Sequence, residues 1–205
     1  GDVDRFLYMS LYKDAEGPQF GYPNAAGTSG LAELRMGNEN LTWEKSTKYN
    51  FGIDAKFFKD QLSLTVDAFY EYRRDILTSL STIPTIYGFS SIVTNDGEVS
   101  NRGFEIDGMW RGRIGKDFYY NVGGNMSFAR NKIEKIPESP QKYDYKYSQG
   151  NRIGQPYGRI SLGLFQSEEE ILRHADQQNP VSPGDIKYLD INGDGIIDDN
   201  DQYPI

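Results

Sequence analysis

The stretch Leu62–Tyr72, LSLTVDAFYEY, alternates apolar and polar residues almost without exception, and it decides the fold class. Its even-numbered positions are apolar or aromatic, and its odd-numbered positions are polar apart from Phe69. Successive side chains of a β-strand point to opposite faces of a sheet, so this period of two predicts a strand with one apolar and one polar face.

The same alternation recurs in three further stretches, Lys48–Phe58, Gly103–Arg111 and Phe118–Phe128. Turns of hairpin length, Lys59-Asp60 and Ile114-Gly115-Lys116, join these stretches in pairs. The sequence therefore predicts an all-β fold, an antiparallel meander with strands at about 46–58, 61–77, 98–112 and 117–130.

The segments around these strands are predicted to be mostly irregular. Residues 1–45 are rich in Gly, Asn and Ser, and they read as a loop-rich segment with one short strand. The connection 78–97 is long, and so is the region 131–205. Within the latter, Ser167 and Glu170 have the spacing of a capping box, which predicts a short helix at about 168–176.

Composition limits the functions that this chain can have. The 205 residues include no Cys, which excludes disulfides and thiolate sites, and the net charge of −8 argues against binding to nucleic acid. Neither a signal peptide nor an apolar run of about 18 residues is present. The single histidine, His174, lies in the predicted helix without a catalytic partner, so no enzymatic activity is expected.

Two architectures fit the alternating strands, a transmembrane β-barrel and a soluble β-sheet protein. Short turns at one end of the strands and long loops at the other are typical of outer-membrane barrels. Aromatic residues also gather near the strand ends, where a barrel crosses the membrane interfaces, although they equally suit the core of a soluble sandwich.

An acidic stretch near the end of the chain, 190–201, has the spacing of a twelve-residue calcium loop. Gly195 falls at the sharp turn, and Ile197 is expected to point inward. The predicted ligands of this EF-hand-like loop are Asp190, Asn192, Asp194, the backbone carbonyl of Ile196, Asp198 and Asp201. Ca2+ is favoured over Mg2+ as the bound ion.

An alternative remains open for this loop. Its last predicted ligand, Asp201, is shorter than the glutamate that usually ends a calcium loop, and prolines replace the flanking helices. A turn-rich acidic loop whose Asp and Asn side chains cap its own backbone explains the same residues without a metal.

Several motifs in a fixed order resemble a known family. They are Asn40–Ser46 (NLTWEKS), Tyr70–Leu77 (YEYRRDIL), Asn95–Glu105 (NDGEVSNRGFE), Asn131–Ile133 (NKI) and Pro183–Gly195 (PGDIKYLDINGDG). In this order they resemble the C-terminal barrel region of SusC/RagA-type TonB-linked outer-membrane proteins of Bacteroidetes.

The resemblance implies a segment of a TonB-dependent importer of oligosaccharides or peptides, which is not active alone. Such importers form a barrel of about 22 strands with a plug. The partners implied are a SusD-like lipoprotein, TonB acting through a plug that this chain lacks, the glycan or peptide substrate and outer-membrane lipid.

Localisation and candidate ligand contacts follow from the resemblance. It implies the outer membrane of a Gram-negative bacterium, with the loops extracellular. The tyrosines Tyr143, Tyr145 and Tyr147 then become candidate ligand contacts, because aromatic rings stack on sugars. The alternative function is a soluble β-rich carbohydrate-binding or adhesin module with a structural calcium site.

Overall fold

The computed structural model describes residues 6–20, 26–80 and 91–205, and the chain forms two compact units. The first unit is Gly1–Pro140 with Ser148–Arg152, and the second is Gln141–Tyr147 with Ile153–Ile205. Half of the connection predicted at 78–97, residues 81–90, lies outside the described residues.

The first unit is one six-stranded sheet. Its strands are β1 (Leu11–Phe20), β2 (Ala26–Met36), β3 (Lys45–Phe57), β4 (Leu62–Ser79), β5 (Ser91–Ile114) and β6 (Phe118–Lys135). The last four are the alternating strands of the sequence, and they pair as antiparallel neighbours in the order β3-β4-β5-β6. This all-β, antiparallel architecture confirms the predicted fold class.

The first 45 residues differ from the prediction, because they contain two paired strands, β1 and β2, instead of one. Glycines in both strands interrupt the alternation, and the pairing shifts register between Glu16 and Gln19, so no period of two marks this hairpin in the sequence. The strand β5 also begins at Ser91, well before residue 98, and its first residues form a short parallel contact with the end of β2. The sheet is therefore not a pure meander.

Strand pairing brings the apolar positions of the four alternating strands onto one face. Ile53, Val66, Ile106 and Met126 lie opposite one another in a row across β3, β4, β5 and β6. The next row along the same face is Phe51, Ala68, Phe104 and Phe128. Because register fixes which side chains share a face, the four apolar patterns merge into one continuous surface.

The opposite face of the sheet is polar in the same register. One of its rows is Asp54, Thr65, Asp107 and Asn125, and the hydroxyl of Thr65 donates to the Asp54 carboxylate at 2.6 Å. The polar positions of the alternating stretches thus lie mostly on one face, as the alternation predicts.

The aromatic Phe69 is an exception on the polar face, and its position has a packing reason. It lies opposite Gly103, and a Cβ added at Gly103 would come within 2.6 Å of the Phe69 Cζ atom and 2.2 Å of the Phe128 carbonyl oxygen. The ring therefore covers backbone that has no side chain of its own, which is a known way to stabilise glycine in a sheet.

The apolar face of this sheet is not packed against a core. Phe51 on β3 and Val122 on β6 are 67% and 66% exposed. Among the described residues, the buried apolar side chains are Phe165 and Ile197, and both belong to the second unit. A soluble sheet protein buries its apolar face, so this exposure favours a partner for that face outside the chain.

The second unit is built from short elements around Phe165 and Ile197. Its strands β7 (Tyr157–Arg159) and β10 (Gln202–Pro204) pair with each other, as do β8 (Ser161–Leu164) and β9 (Ile186–Tyr188). One α-helix, α1 (Glu168–Arg173), is found within the described ranges, together with 3-10 turns at Asp144–Lys146 and Asp199–Asp201. None of the helical segments that the structure describes is both long and apolar enough to span a membrane.

The helix α1 begins where the capping residues predict. The Ser167 hydroxyl accepts a hydrogen bond from the Glu170 amide at 3.2 Å, and the Glu170 carboxylate accepts one from the Gln166 amide at 2.7 Å. The Glu170 carboxylate also binds the Lys187 ammonium. The contact with Lys187, and to a smaller extent the hydrogen bond from Gln166, hold the pKa of Glu170 below its usual value. The helix ends at Arg173, short of the predicted residue 176.

We expect Gly103→Ala to destabilise the sheet by about 1–3 kcal/mol, because the added methyl group meets the Phe128 carbonyl oxygen and the Phe69 ring. Gly124→Ala is the matched control, since a Cβ there meets nothing within 4 Å. The measurement is the free energy of unfolding in urea for the two variants. Equal stabilities would contradict the close packing of Phe69 on Gly103.

Candidate functional site

The apolar face of the β3–β6 sheet is bounded by aromatic residues at both ends. At one end Tyr49 and Tyr70 lie opposite each other, and at the other end Trp110 lies opposite Val122, one row before Tyr120. Rings that are apolar with a polar edge concentrate where a barrel crosses the membrane interfaces. The face therefore has the organisation of a lipid-facing surface.

The height of this band agrees with a membrane. Arg130, in the row of Tyr49 and Tyr70, is ten residues from Tyr120 along β6. Ten residues rise about 33 Å along a strand, which becomes about 25 Å once the strand is tilted by about 40°. The apolar band of an outer-membrane barrel is about 25 Å tall.

The polar face carries charges that are paired or exposed to water. The Glu71 carboxylate accepts a hydrogen bond from the Ser46 hydroxyl at 2.7 Å and lies 3.4 Å from the Lys48 ammonium. Asp67 and Glu105 lie directly opposite each other on the same face. Such a surface requires contact with water, so it suits the lumen of a barrel.

Both outer strands of the β3–β6 sheet keep an open edge. Among the described residues, the only strand that pairs with β3 is β4, and the only one that pairs with β6 is β5. Near the end of β6, the Ile133 backbone also bonds to Gly150 and Asn151. An open edge presents a row of unpaired N–H and C=O groups, which lipid does not tolerate. The surface is therefore complete only when further strands pair with both edges.

The acidic loop 190–201 is closed by hydrogen bonds between its own side chains and backbone. The two carboxylate oxygens of Asp190 accept from the amides of Gly193 and Gly195, at 2.7 and 2.8 Å. The Asn192 side-chain oxygen accepts from the Asp194 amide at 2.8 Å. These contacts are the self-capping arrangement that the sequence left open as an alternative.

Asp201 is the central residue of this loop, and its side chain is fully buried. One of its carboxylate oxygens accepts from the Ile191 amide at 2.8 Å, and the other accepts from the Asp198 amide at 2.9 Å. Asp198 in turn accepts from the Asn200 amide at 2.6 Å, which caps the turn at Asp199–Asp201. The carboxylate therefore joins the two ends of the loop.

Two backbone features of the predicted calcium loop are present. Gly195 has a φ of +85°, as the sharp turn requires, and Ile197 is 1% exposed, so it anchors the loop inward. Within residues 6–20, 26–80 and 91–205, however, no group of three His, Asp or Glu side chains is arranged to hold a metal ion. The calcium site stays a prediction from the sequence.

The three candidate tyrosines do not form one surface. The Tyr143 and Tyr145 rings stack at 5.4 Å between centroids, and Tyr145 also contacts Tyr203 at 5.8 Å. The Tyr147 hydroxyl instead accepts from the Gln141 amide at 3.0 Å. A 3-10 turn at Asp144–Lys146 lies between Tyr143 and Tyr147.

Tyr145 has a structural role in the second unit. Its hydroxyl donates to the Asn200 carbonyl at 2.7 Å, and burial raises the pKa of the Tyr145 phenol. The protonated phenol can therefore hold the acidic loop over a wide pH range. The Tyr143 ring, the other member of the stack, also lies 4.9 Å from the Lys142 ammonium.

His174 is likewise structural. Its Nε2 atom lies 2.7 Å from the Tyr188 carbonyl oxygen, and its ring packs edge-on against Phe165 at 5.3 Å. In the sequence His174 lies within the predicted helix, whereas in the structure it is the residue that caps the C-terminus of α1. Its side chain, however, connects α1 to β9.

Comparison with known proteins agrees with this geometry. A family model described as "TonB dependent receptor-like, beta-barrel" matches residues 8–195. TonB-dependent receptor P39 of Formosa agariphila is 32% identical over 169 residues, which cover 82% of this chain and 16% of that protein. TonB-dependent receptor SusC of Bacteroides thetaiotaomicron is 26% identical over 205 residues, which cover 98% of this chain and 20% of SusC.

Solved structures share the fold. The RagAB peptide importer in its closed-closed state matches with a TM-score of 0.63 at 20% identity, covering 100% of this chain and 22% of that one. Its open-open state matches with a TM-score of 0.62 at 21% identity, covering 99% and 21%. The chain spans about a fifth of the length of the proteins that it matches.

We expect Asp201→Ala to destabilise the acidic loop by about 2 kcal/mol or more, because it leaves two backbone amides without an acceptor. The control is Asp199→Ala, whose side chain is 93% exposed. Amide hydrogen exchange at Ile191 and Asp198 is the measurement, and we expect faster exchange in the first variant only. Unchanged protection in Asp201→Ala would contradict this role.

Proposed function

We propose that this chain, which belongs to the TonB-dependent receptor-like β-barrel family, forms part of the wall of an outer-membrane nutrient importer. The observation that carries the proposal is the exposed apolar face, which continues in register across four strands between two open edges. Further strands pair with these edges in the complete barrel, so the segment does not transport alone.

The substrate class that we propose is an oligosaccharide or a peptide. The relatives support it in part, since RagAB is described as a peptide importer and SusC as a TonB-dependent receptor. The SusC/RagA resemblance supports a SusD-like lipoprotein as partner and TonB as the source of energy. Transport, not catalysis, is then the activity, and the family consists of receptors.

The proposed orientation follows from the two faces and the loop lengths. The apolar face contacts lipid, and the polar face lines the lumen. The short turns after β3 and β5 face the periplasm, whereas the second unit and the connection after β4 face the outside. Tyr143 is then the best placed of the three tyrosines to contact a ligand or the lipoprotein, because the other two hydroxyls are engaged within the unit.

An uptake experiment tests this function. Deletion of the gene that encodes the full-length receptor is expected to abolish growth on one class of substrate, tested with panels of oligosaccharides and peptides. Re-expression of the wild-type gene should restore growth, and removal of TonB should abolish it again. Growth of the deletion strain on every substrate of both panels would contradict the proposal.

A lysine on the lipid-facing side is expected to be far more harmful than one on the luminal side. Met126 and Asn125 are adjacent on β6, both are exposed, and they belong to opposite faces. Met126→Lys places a charge near the middle of the bilayer and should cost about 2–4 kcal/mol, whereas Asn125→Lys should cost little.

Urea unfolding of the full-length protein in phospholipid vesicles measures this difference. The alternative that the sequence allowed, a soluble carbohydrate-binding or adhesin module, leads to a different expectation in this experiment. Such a module would stay folded and monomeric in detergent-free buffer and would tolerate both lysines equally. That result would contradict the lipid-facing assignment.

We also propose that the acidic loop 190–201 binds Ca2+ as a structural clip, with Asp190, Asp194 and Asp198 among the ligands. Each carboxylate retains lone pairs after its backbone hydrogen bonds, so the loop has oxygens left for a cation. Calcium should raise the melting temperature of the loop unit, and Asp194→Asn should weaken this effect.

The matched control for the calcium prediction is Asp199→Asn, which removes the same charge from a position that is not a predicted ligand. Isothermal titration with Ca2+, and separately with Mg2+, after treatment with a chelator measures the binding. The absence of a binding heat in the wild type would show that the loop is held by its own hydrogen bonds alone, and identical heats for the wild type and for Asp194→Asn would exclude Asp194 as a ligand.

A further inference from the structure

Two arginines lie directly opposite each other on the apolar face of the β3–β6 sheet. Arg102 of β5 pairs with Arg130 of β6, and both side chains are exposed. Directly opposite residues have Cβ atoms only about 4.5–5.5 Å apart, and like charges at that distance destabilise a sheet. An arrangement of this kind calls for an anion between the two guanidinium groups.

No acidic residue of the described ranges lies within ion-pair distance of either arginine. The Glu134 carboxylate already accepts from the Ser100 hydroxyl and from the Lys132 ammonium, both at 2.7 Å. Glu98 accepts from the hydroxyl of Tyr72. Each of the two neighbouring carboxylates is therefore engaged by another group.

The arginine side chains themselves have few interactions. Among the described residues, the Arg130 side chain makes no ion pair or hydrogen bond, and Arg102 has only its electrostatic interaction with Glu134. Ten N–H donors on two guanidinium groups thus remain for a ligand. Phosphate oxygens match this geometry, because guanidinium groups bind them through paired hydrogen bonds.

We propose that Arg102 and Arg130 together bind the phosphate group of a lipid headgroup in the outer leaflet. The inference rests on the proposed function, since it requires the apolar face to contact lipid. The two arginines lie in the row of Tyr49 and Tyr70, which marks the interface nearest the long loops. Their level is therefore that of the headgroups.

The surface beside the arginines favours a lipid over free phosphate. One row further into the apolar band, the Phe104 and Phe128 rings stack at 5.8 Å between centroids. A bound lipid can place its phosphate on the arginines and its acyl chain along these two rings. Inorganic phosphate has no group to contact them, so it should bind far more weakly.

The test uses the full-length receptor in micelles of an uncharged detergent, with dioctanoyl phosphatidate as the probe. The probe should raise the melting temperature in a saturable way, and inorganic phosphate at the same concentration should not. In the double variant Arg102→Gln/Arg130→Gln, the concentration that gives half of the effect should rise about tenfold or more.

The control variant is Lys56→Gln/Arg111→Gln, which removes two positive charges from the polar face and should leave the probe's effect unchanged. Arg102→Lys/Arg130→Lys keeps the charge but loses the paired hydrogen bonds, so an intermediate effect is expected. This variant also keeps the test informative if the glutamine variant fails to fold.

Two results would overturn the inference. One is the same half-effect concentration in the wild type and in every foldable arginine variant, and the other is equal stabilisation by inorganic phosphate. The proposed function is tested separately, by quenching of a fluorophore at Phe128→Cys with nitroxide lipids in vesicles. Strong quenching together with either overturning result would reject the lipid site but would still support the proposed function as part of a membrane barrel.

Discussion

Everything in the first unit depends on the register of the antiparallel pairing between β3, β4, β5 and β6. Each pair of strands is fixed by backbone hydrogen bonds, and a slip of one residue would move every side chain of a strand to the other face. With the observed register, Ile53, Val66, Ile106 and Met126 form one row and polar residues occupy the opposite face. The first unit thus contains a sheet with one apolar and one polar face.

The β3–β6 sheet was predictable from the sequence, because the alternation of apolar and polar residues is a local property of each strand. Strand identity and the choice of face for Leu62–Tyr72 follow from neighbouring residues alone. The hairpin of β1 and β2 was not predictable in this way, since glycines interrupt its alternation and the partner strand supplies the hydrogen bonds. The early start of β5 depends on its pairing with β2 and β4. A pattern of neighbouring residues cannot predict such pairing with distant parts of the chain.

The acidic loop shows a different limit of sequence reasoning. Spacing located Gly195 at the turn and Ile197 in the interior, because both requirements belong to the backbone of the loop. Spacing could not distinguish a carboxylate that binds a cation from one that binds backbone amides, since both uses need oxygen at the same positions. Asp201 illustrates this ambiguity, because it is fully buried and accepts two amide hydrogen bonds from opposite ends of the loop.

The pair Arg102 and Arg130 is visible only when register is known, because the two residues are far apart in sequence and only Arg102 lies in one of the family motifs. When each strand is read by itself, its alternation places the arginine at the end of an apolar stretch. A single long charged side chain at such a position can reach the membrane–water interface. The pairing makes them immediate neighbours and turns two ordinary interface residues into a concentrated positive charge. Glu98 and Glu134 accept hydrogen bonds from Tyr72, Ser100 and Lys132, and neither forms an ion pair with the two arginines. The concentrated positive charge is therefore the basis on which we propose a lipid phosphate as its partner.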